Sequence, residues 1–146
     1  MSVNEKQLYK SIAVGSSSNE SPVQSKKYRG ISTVDKNTKN FVKYDLQLIK
    51  QDIVNHFHIR QGEKLENPEF GTIIWDVLFE PLTDSLKEAI IKNVTDIINY
   101  DPRVSVNNVT IDSFESGIQI ECNLTYLPYN ISESMRLTFD ESAGLI

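Results

Sequence analysis

This chain of 146 residues is short of several residue types, and each shortage closes off a class of protein. It has one cysteine, Cys122, which excludes an internal disulfide framework and a thiolate metal cluster. Two histidines, His56 and His58, leave little imidazole for acid–base or metal chemistry. They stand two positions apart with no Cys or acidic motif to complete a ligand set, so both read as structural or surface residues. The six glycines are scattered, which excludes a phosphate-cradling loop, and no G-x-S-x-G nucleophile motif occurs. No run comes near the roughly 18 apolar residues needed to cross a bilayer. The opening Met1-Ser-Val-Asn-Glu-Lys6 lacks the apolar stretch of a secretory signal. The expectation is a soluble, unstapled chain that is not exported, in which the Asn-x-Ser/Thr triplets at Asn19, Asn93, Asn108, Asn123 and Asn130 carry no glycan.

What is present fits one ordinary domain with a modest core: hydrophobic residues make up 39% of the chain and charged residues 24%. The net charge of −5 conceals an uneven distribution. Residues 1–43 hold eight Lys and Arg against three acids, a balance of +5, while residues 44–146 hold seven against seventeen, a balance of −10. An acidic body repels phosphate, which argues against a nucleic-acid groove on it. The basic charges of the first part are spread out, with few aromatics between them, and suit a solvated arm or one docked on an acidic protein.

The run Gly15-Ser-Ser-Ser-Asn-Glu-Ser-Pro22 is polar and turn-rich, with nothing to offset the entropy of ordering it. Residues 1–26 therefore read as a flexible arm, and 27–146 as a single domain. Residues 25–43, with isolated Tyr28, Ile31, Val34 and Phe41, read as a segment laid over a surface. Regular structure is expected from Asp45, a plausible N-cap, where Leu46, Ile49, Ile53 and Phe57 recur at helical spacing. After turns at Gly62 and Asn67–Gly71, the apolar cluster Ile73–Phe79 predicts a short helix ended by Pro81. A second amphipathic helix is predicted over Asp84–Asn99, capped by Thr83 or by a Ser85–Glu88 box, and stopped ahead of Pro102.

From Val104 the period changes to two. Val104 and Val106 alternate with polar neighbours, and Val109 and Ile111 resume after one extra residue, which predicts a bulge at Asn107-Asn108. Ile118, Ile120, Cys122, Leu124 and Tyr126 form a second alternating run, and Met135, Leu137 and Phe139 a third. Cys122 takes the inward phase, so its thiol is expected to be packing. The predicted fold is α+β: two to three helices on one face of a small three-stranded antiparallel sheet, with an extended N-terminal arm.

The carboxylates are the one source of enzyme chemistry to weigh. Glycoside hydrolysis needs two acids in contrasting environments. Glu66, Glu69 and Glu80 flank the most apolar region, yet no pattern selects an acid and a base. A peptidoglycan-cleaving, lysozyme-like glycoside hydrolase is kept as the alternative function.

Two compact signatures without catalytic logic remain. One is Pro68-Glu69-Phe70-Gly71, leading through Trp75 into Leu78-Phe79-Glu80-Pro81; the other is Tyr100-Asp101-Pro102-Arg103 at the junction of long helix and first strand. Together with the order of elements, they closely resemble the baseplate wedge, or sheath-initiator, family of contractile phage tails, which has a counterpart in type VI secretion baseplates. The resemblance spans about residues 27–140; the family's usual Glu-Pro-Arg is Asp-Pro-Arg here, one methylene shorter.

The resemblance implies a structural protein of the virion's tail baseplate, assembled in the host cytoplasm, with no catalytic residues, metal or cofactor. It implies other wedge proteins, the tail sheath protein and proteins near the tail tube as partners, in several copies around the tail axis, away from membrane. Tyr100, Asp101, Pro102 and Arg103 become the candidate wedge-binding corner, since arginine is a rigid bidentate donor for a carboxylate on a partner or on this chain. Pro68, Glu69, Phe70, Gly71, Trp75, Leu78, Phe79 and Pro81 become the motif that shapes the fold. The last strand, with Ser134, Arg136 and Thr138 facing away from the core, becomes the edge that a sheath subunit extends by strand addition.

Overall fold

The computed structural model describes residues 26–32 and 42–146. Apart from Lys26, the expected N-terminal arm lies outside the described residues. Among the described residues there are three helices, α1 (Asp45–Phe57), α2 (Ile74–Val77) and α3 (Asp84–Asn99). The described strands are β1 (Arg29–Ile31), β2 (Val42–Tyr44), β3 (Val104–Phe114), β4 (Gly117–Tyr126), β5 (Ile131–Asp140) and β6 (Gly144–Leu145).

The expected three-stranded sheet with helices on one face is overturned. β3, β4, β5 and β6 form a four-stranded antiparallel sheet in that order, and β1 and β2 form a separate two-stranded antiparallel sheet. The missed strands are two or three residues long, too short to show a period of two. Pairing with a partner, rather than local sequence pattern, creates them.

The longer elements follow the periodicity. α1 buries Ile49, Ile53 and Phe57, and α3 buries Ile90, Val94, Ile97 and Ile98. The Thr83 hydroxyl caps α3 by accepting from the Leu86 amide. Asp45 does not cap α1: it adopts φ 45°, and its carboxylate accepts from the backbone amides of Lys27 and Tyr28 instead. The helix expected over Ile73–Phe79 shrinks to the four residues Ile74–Val77. The register of β3 against β4 shifts between Val106 and Asn108, which is the predicted bulge.

Phe139 on β5 sits where the layers meet. Its ring makes edge contacts with Phe57 of α1 at 5.9 Å and Trp75 of α2 at 5.2 Å. Fully burying side chains of this size stabilises a fold by roughly 1.5–3 kcal/mol each. Cys122 is buried in the same core, where burial pushes its thiol up to about 11, so it packs and stays protonated. Among the described residues no helix is long and apolar enough to cross a membrane.

Candidate functional site

The corner between α3 and β3 is built by one arginine. Asp101 is 7% exposed, and its Oδ1 accepts from the Arg103 amide at 2.9 Å, a short turn that the aspartate side chain closes without slack. The same carboxylate receives Arg103 Nε at 2.9 Å and Nη2 at 2.6 Å. Nη2 also reaches Asp52 Oδ2 on α1 at 2.9 Å, and the guanidinium lies over the Tyr28 ring at 5.1 Å. Arg103 thus ties α1, the α3–β3 turn and the N-terminal segment together. These hydrogen bonds, led by those that Arg103 donates to Asp101, raise the Arg103 guanidinium above its ordinary value. Burial pushes the Asp101 carboxyl up, but the Arg103 bonds outweigh it and hold it below the usual carboxylate range. Sequence reasoning missed Asp52; only its place on the polar side of α1, one residue before Ile53, pointed to it.

Tyr100 remains 52% exposed beside Pro102, also exposed, so the outer surface of the corner is aromatic and apolar while its charge is turned inward. Behind Tyr100 the rings of His56 and Phe70 stack on each other's edges, at 5.3 Å, and Phe70 lies 4.7 Å from Tyr100. Lys64 Nζ covers both Phe70 and Tyr100, at 4.8 and 5.0 Å. Burial lowers the His56 imidazole against the opposing pull of Asp52 and Asp101, which suits a neutral ring in an aromatic stack.

The Pro68–Gly71 loop brings Phe70 to this corner. The Pro68 carbonyl accepts from the Gly62 amide at 2.9 Å, and the Glu69 carbonyl from Gln61 Nε2 at 3.1 Å. Gly71 has φ 133°, and a Cβ there would lie 2.6 Å from the Arg60 carbonyl, so a side chain is excluded twice over. Thr72 then forms a parallel bridge with Arg60. Asn93 of α3 fastens the loop: its Nδ2 donates to the Gly71 carbonyl at 2.9 Å and its Oδ1 accepts from the Ile73 amide at 3.2 Å. Trp75 Nε1 donates to the Phe57 carbonyl at 2.9 Å.

The motif residues therefore divide. Phe70 and Leu78 are buried and Trp75 is half-buried, while Pro68, Glu69 and Pro81 are exposed. Phe79, expected with the apolar cluster, is 73% exposed. In the sequence Asn93 stood out only as part of an Asn-x-Ser/Thr triplet; its place as a polar residue beside Val94 in the α3 stripe was the signal for this role.

On the far side of the molecule's sheet, Ser134 and Arg136 are exposed and Thr138 is half-buried, opposite in phase to buried Met135, Leu137 and Phe139. Arg136 pairs with Glu121 across the β4–β5 ladder. Thr138 exchanges backbone hydrogen bonds with Ile146, donating at 3.3 Å and accepting at 2.8 Å. β5 is therefore covered at its end by β6 and is not the last strand. Since antiparallel backbone groups alternate in direction, the amides and carbonyls of Ser134 and Arg136 also point away from β4. Among the described residues no strand pairs with them. The candidate corner and this strand are separate features and are not brought together.

Among the described residues the chain combines three helices, a four-stranded and a two-stranded antiparallel sheet, and an arginine corner whose charge turns inward. The family model for Baseplate wedge protein gp25 matches residues 44–128, more than half of the chain, and the chain belongs to that family. The family is a structural one of phage tail baseplates, so the protein is a baseplate component of the virion tail and other baseplate proteins are its partners. The resemblance drawn from the two signatures is borne out. A crystal structure of a protein described as a candidate tail lysozyme from Geobacter sulfurreducens shares the fold, with 24% identity and a TM-score of 0.54 over 65% of this chain and 91% of that one. No curated protein matches the chain.

Proposed function

We propose that this protein is a non-enzymatic wedge component that joins the baseplate wedge to the tail sheath and starts sheath polymerisation by strand addition. The observation that carries this reading is the outer edge of β5: within Ile131–Leu137 every second residue turns its backbone donor and acceptor outward, with no partner strand among the described residues. Met135 and Leu137 anchor the opposite phase in the core, so an added strand would find a fixed register. On the wedge side, Tyr100 and Pro102 supply the contact, and Asp101 and Arg103 hold them in position. Assembly takes place in the host cytoplasm before the tail is complete.

Site-specific cross-linking tests the strand edge. A cysteine is introduced at Ser134 on β5, or at exposed Thr110 on β3 at the opposite edge of the sheet, with Cys122 buried. A cross-link from 134 to sheath protein in assembled tails, with none from 110, is the expected result. The reverse pattern would move the sheath contact to β3. Clearing of a purified peptidoglycan suspension by the protein would instead favour the glycoside hydrolase.

A further inference from the structure

The turn after α2 and the β3–β4 hairpin enclose a groove that neither the wedge corner nor the strand edge uses. Its volume is about 380 Å³, and both Phe79 and Phe114 line it. Phe79 is 73% exposed and Phe114 41%. Single exposed apolar residues are ordinary on protein surfaces; two phenyl rings lining one concave surface offer a partner more apolar contact than either alone. Glu80, Glu115 and Glu141 line the same groove, and all three are exposed. No Lys or Arg lines it, and among the described residues none of these three carboxylates has an ion-pair or side-chain hydrogen-bond partner.

We propose that this groove is a docking surface for a basic segment of a partner protein, seating one aromatic or large aliphatic side chain between Phe79 and Phe114 and flanking Lys or Arg side chains against the three glutamates. Charge complementarity selects that occupant. An acidic segment would meet three unpaired carboxylates, and like charges brought together at a contact are strongly disfavoured. A second copy of the same surface is excluded for the same reason. Over the chain's own residues 1–25 two lysines are offset by two glutamates, so that segment as a whole brings no net positive charge to the groove. An apolar anchor in the centre with charge at the rim is the usual division of labour in protein interfaces.

The test uses the full-length, nitrogen-15-labelled protein and a blocked pentapeptide with Phe at its centre and Lys at the other four positions. Amide shift changes are expected to cluster at residues 79–82 and 113–117. Replacing the peptide's Phe by Ala should weaken binding at least fivefold, and replacing its lysines by Glu should abolish it. Both comparisons use wild-type protein and so do not depend on a variant folding. The Phe79→Ser, Phe114→Ser double variant and the Glu80→Gln, Glu115→Gln, Glu141→Gln triple variant should each weaken binding at least fivefold, with melting curves kept beside them as a control. Equal affinity for the Glu peptide, or shifts mapping to the β5 edge, would overturn the proposal. Concentration-dependent shifts of the groove without peptide would also overturn it, by identifying a second copy as the occupant.

Discussion

At Asp101 two opposing effects meet in one side chain, and their balance makes the role of Arg103 measurable. Burial raises the carboxyl and the Arg103 hydrogen bonds lower it further than burial raises it. A carboxyl depressed in the folded state adds stability above its unfolded value, near pH 4, and that stability is lost as pH falls through the folded value. Arg103→Ala removes the bonds and leaves a buried carboxylate without its main partner. A loss of about 2–3 kcal/mol is expected at pH 7, since charged hydrogen bonds and uncompensated buried charge are of that size. Below about pH 4 the gap should narrow, because the variant's Asp101 is protonated while the wild type is losing its own advantage. Urea denaturation at pH 7 and pH 3.5 checks this; a gap independent of pH would mean that Arg103 acts only by packing over Tyr28. Asp45 and Tyr126 offer a second reading at this scale. The phenol donates to Asp45 Oδ1 at 3.1 Å, and burial together with that carboxylate pushes Tyr126 up to about 12. Asp45→Asn keeps a residue type that tolerates φ 45° but removes the charge. The Tyr126 ring carbon should then titrate at lower pH by NMR, and an unchanged titration would show that the bond does not control it. The residue types of the corner were legible in the sequence, as Tyr100–Arg103. The inward direction of Arg103 was not, because Asp52 lies 51 positions away and only the folded path brings it within reach.

Among the elements, the short ones depend most on distant contacts. α2 has four residues, yet its position is set by Asn93 from α3 and by the Trp75 bond to the end of α1. Gly71→Ala should cost more than about 2 kcal/mol, since a Cβ meets the Arg60 carbonyl and φ 133° is strained for alanine. Asn93→Ala should cost about 1–3 kcal/mol through the two backbone groups it leaves unpaired. Both substitutions release the same loop, so their combination should fall short of the sum of the two costs in thermal melts. Strict additivity would mean that Asn93 and Gly71 stabilise separate regions. α1, α3 and the three long strands were legible because each carries a repeating apolar period, although in β5 it covers only Met135–Phe139. β1, β2 and β6 were not, because two or three residues carry no period and owe their extended form to a partner strand. Phe79 misled for a related reason: an apolar cluster predicts burial only if every member has somewhere to go, and here the chain turns its phenyl outward.

For the molecule as a whole, the question is where another chain can join the sheet. The four-stranded sheet has β3 at one edge, and at the other β6 covers only the end of β5. Proteins commonly blunt such edges with charge, proline or a covering segment, and β6 does so at Thr138 alone of the three outward-facing candidates. A proline at 138 would therefore remove an amide that already donates within this chain, and would test folding and assembly together. Ser134→Pro removes an outward amide that has no partner among the described residues, while Met135→Pro removes one that points to β4. If a sheath subunit extends β5, Ser134→Pro should leave melting within a few degrees of wild type and shorten or abolish sheaths on assembled baseplates seen by electron microscopy. Met135→Pro should lower stability by about 3 kcal/mol or more, since it breaks an internal ladder bond at a buried position. Full-length sheaths on baseplates carrying folded Ser134→Pro would rule out this edge and direct the search to β3, whose outward Val106 amide already donates to Asn99 Oδ1 and which offers fewer open groups to a partner.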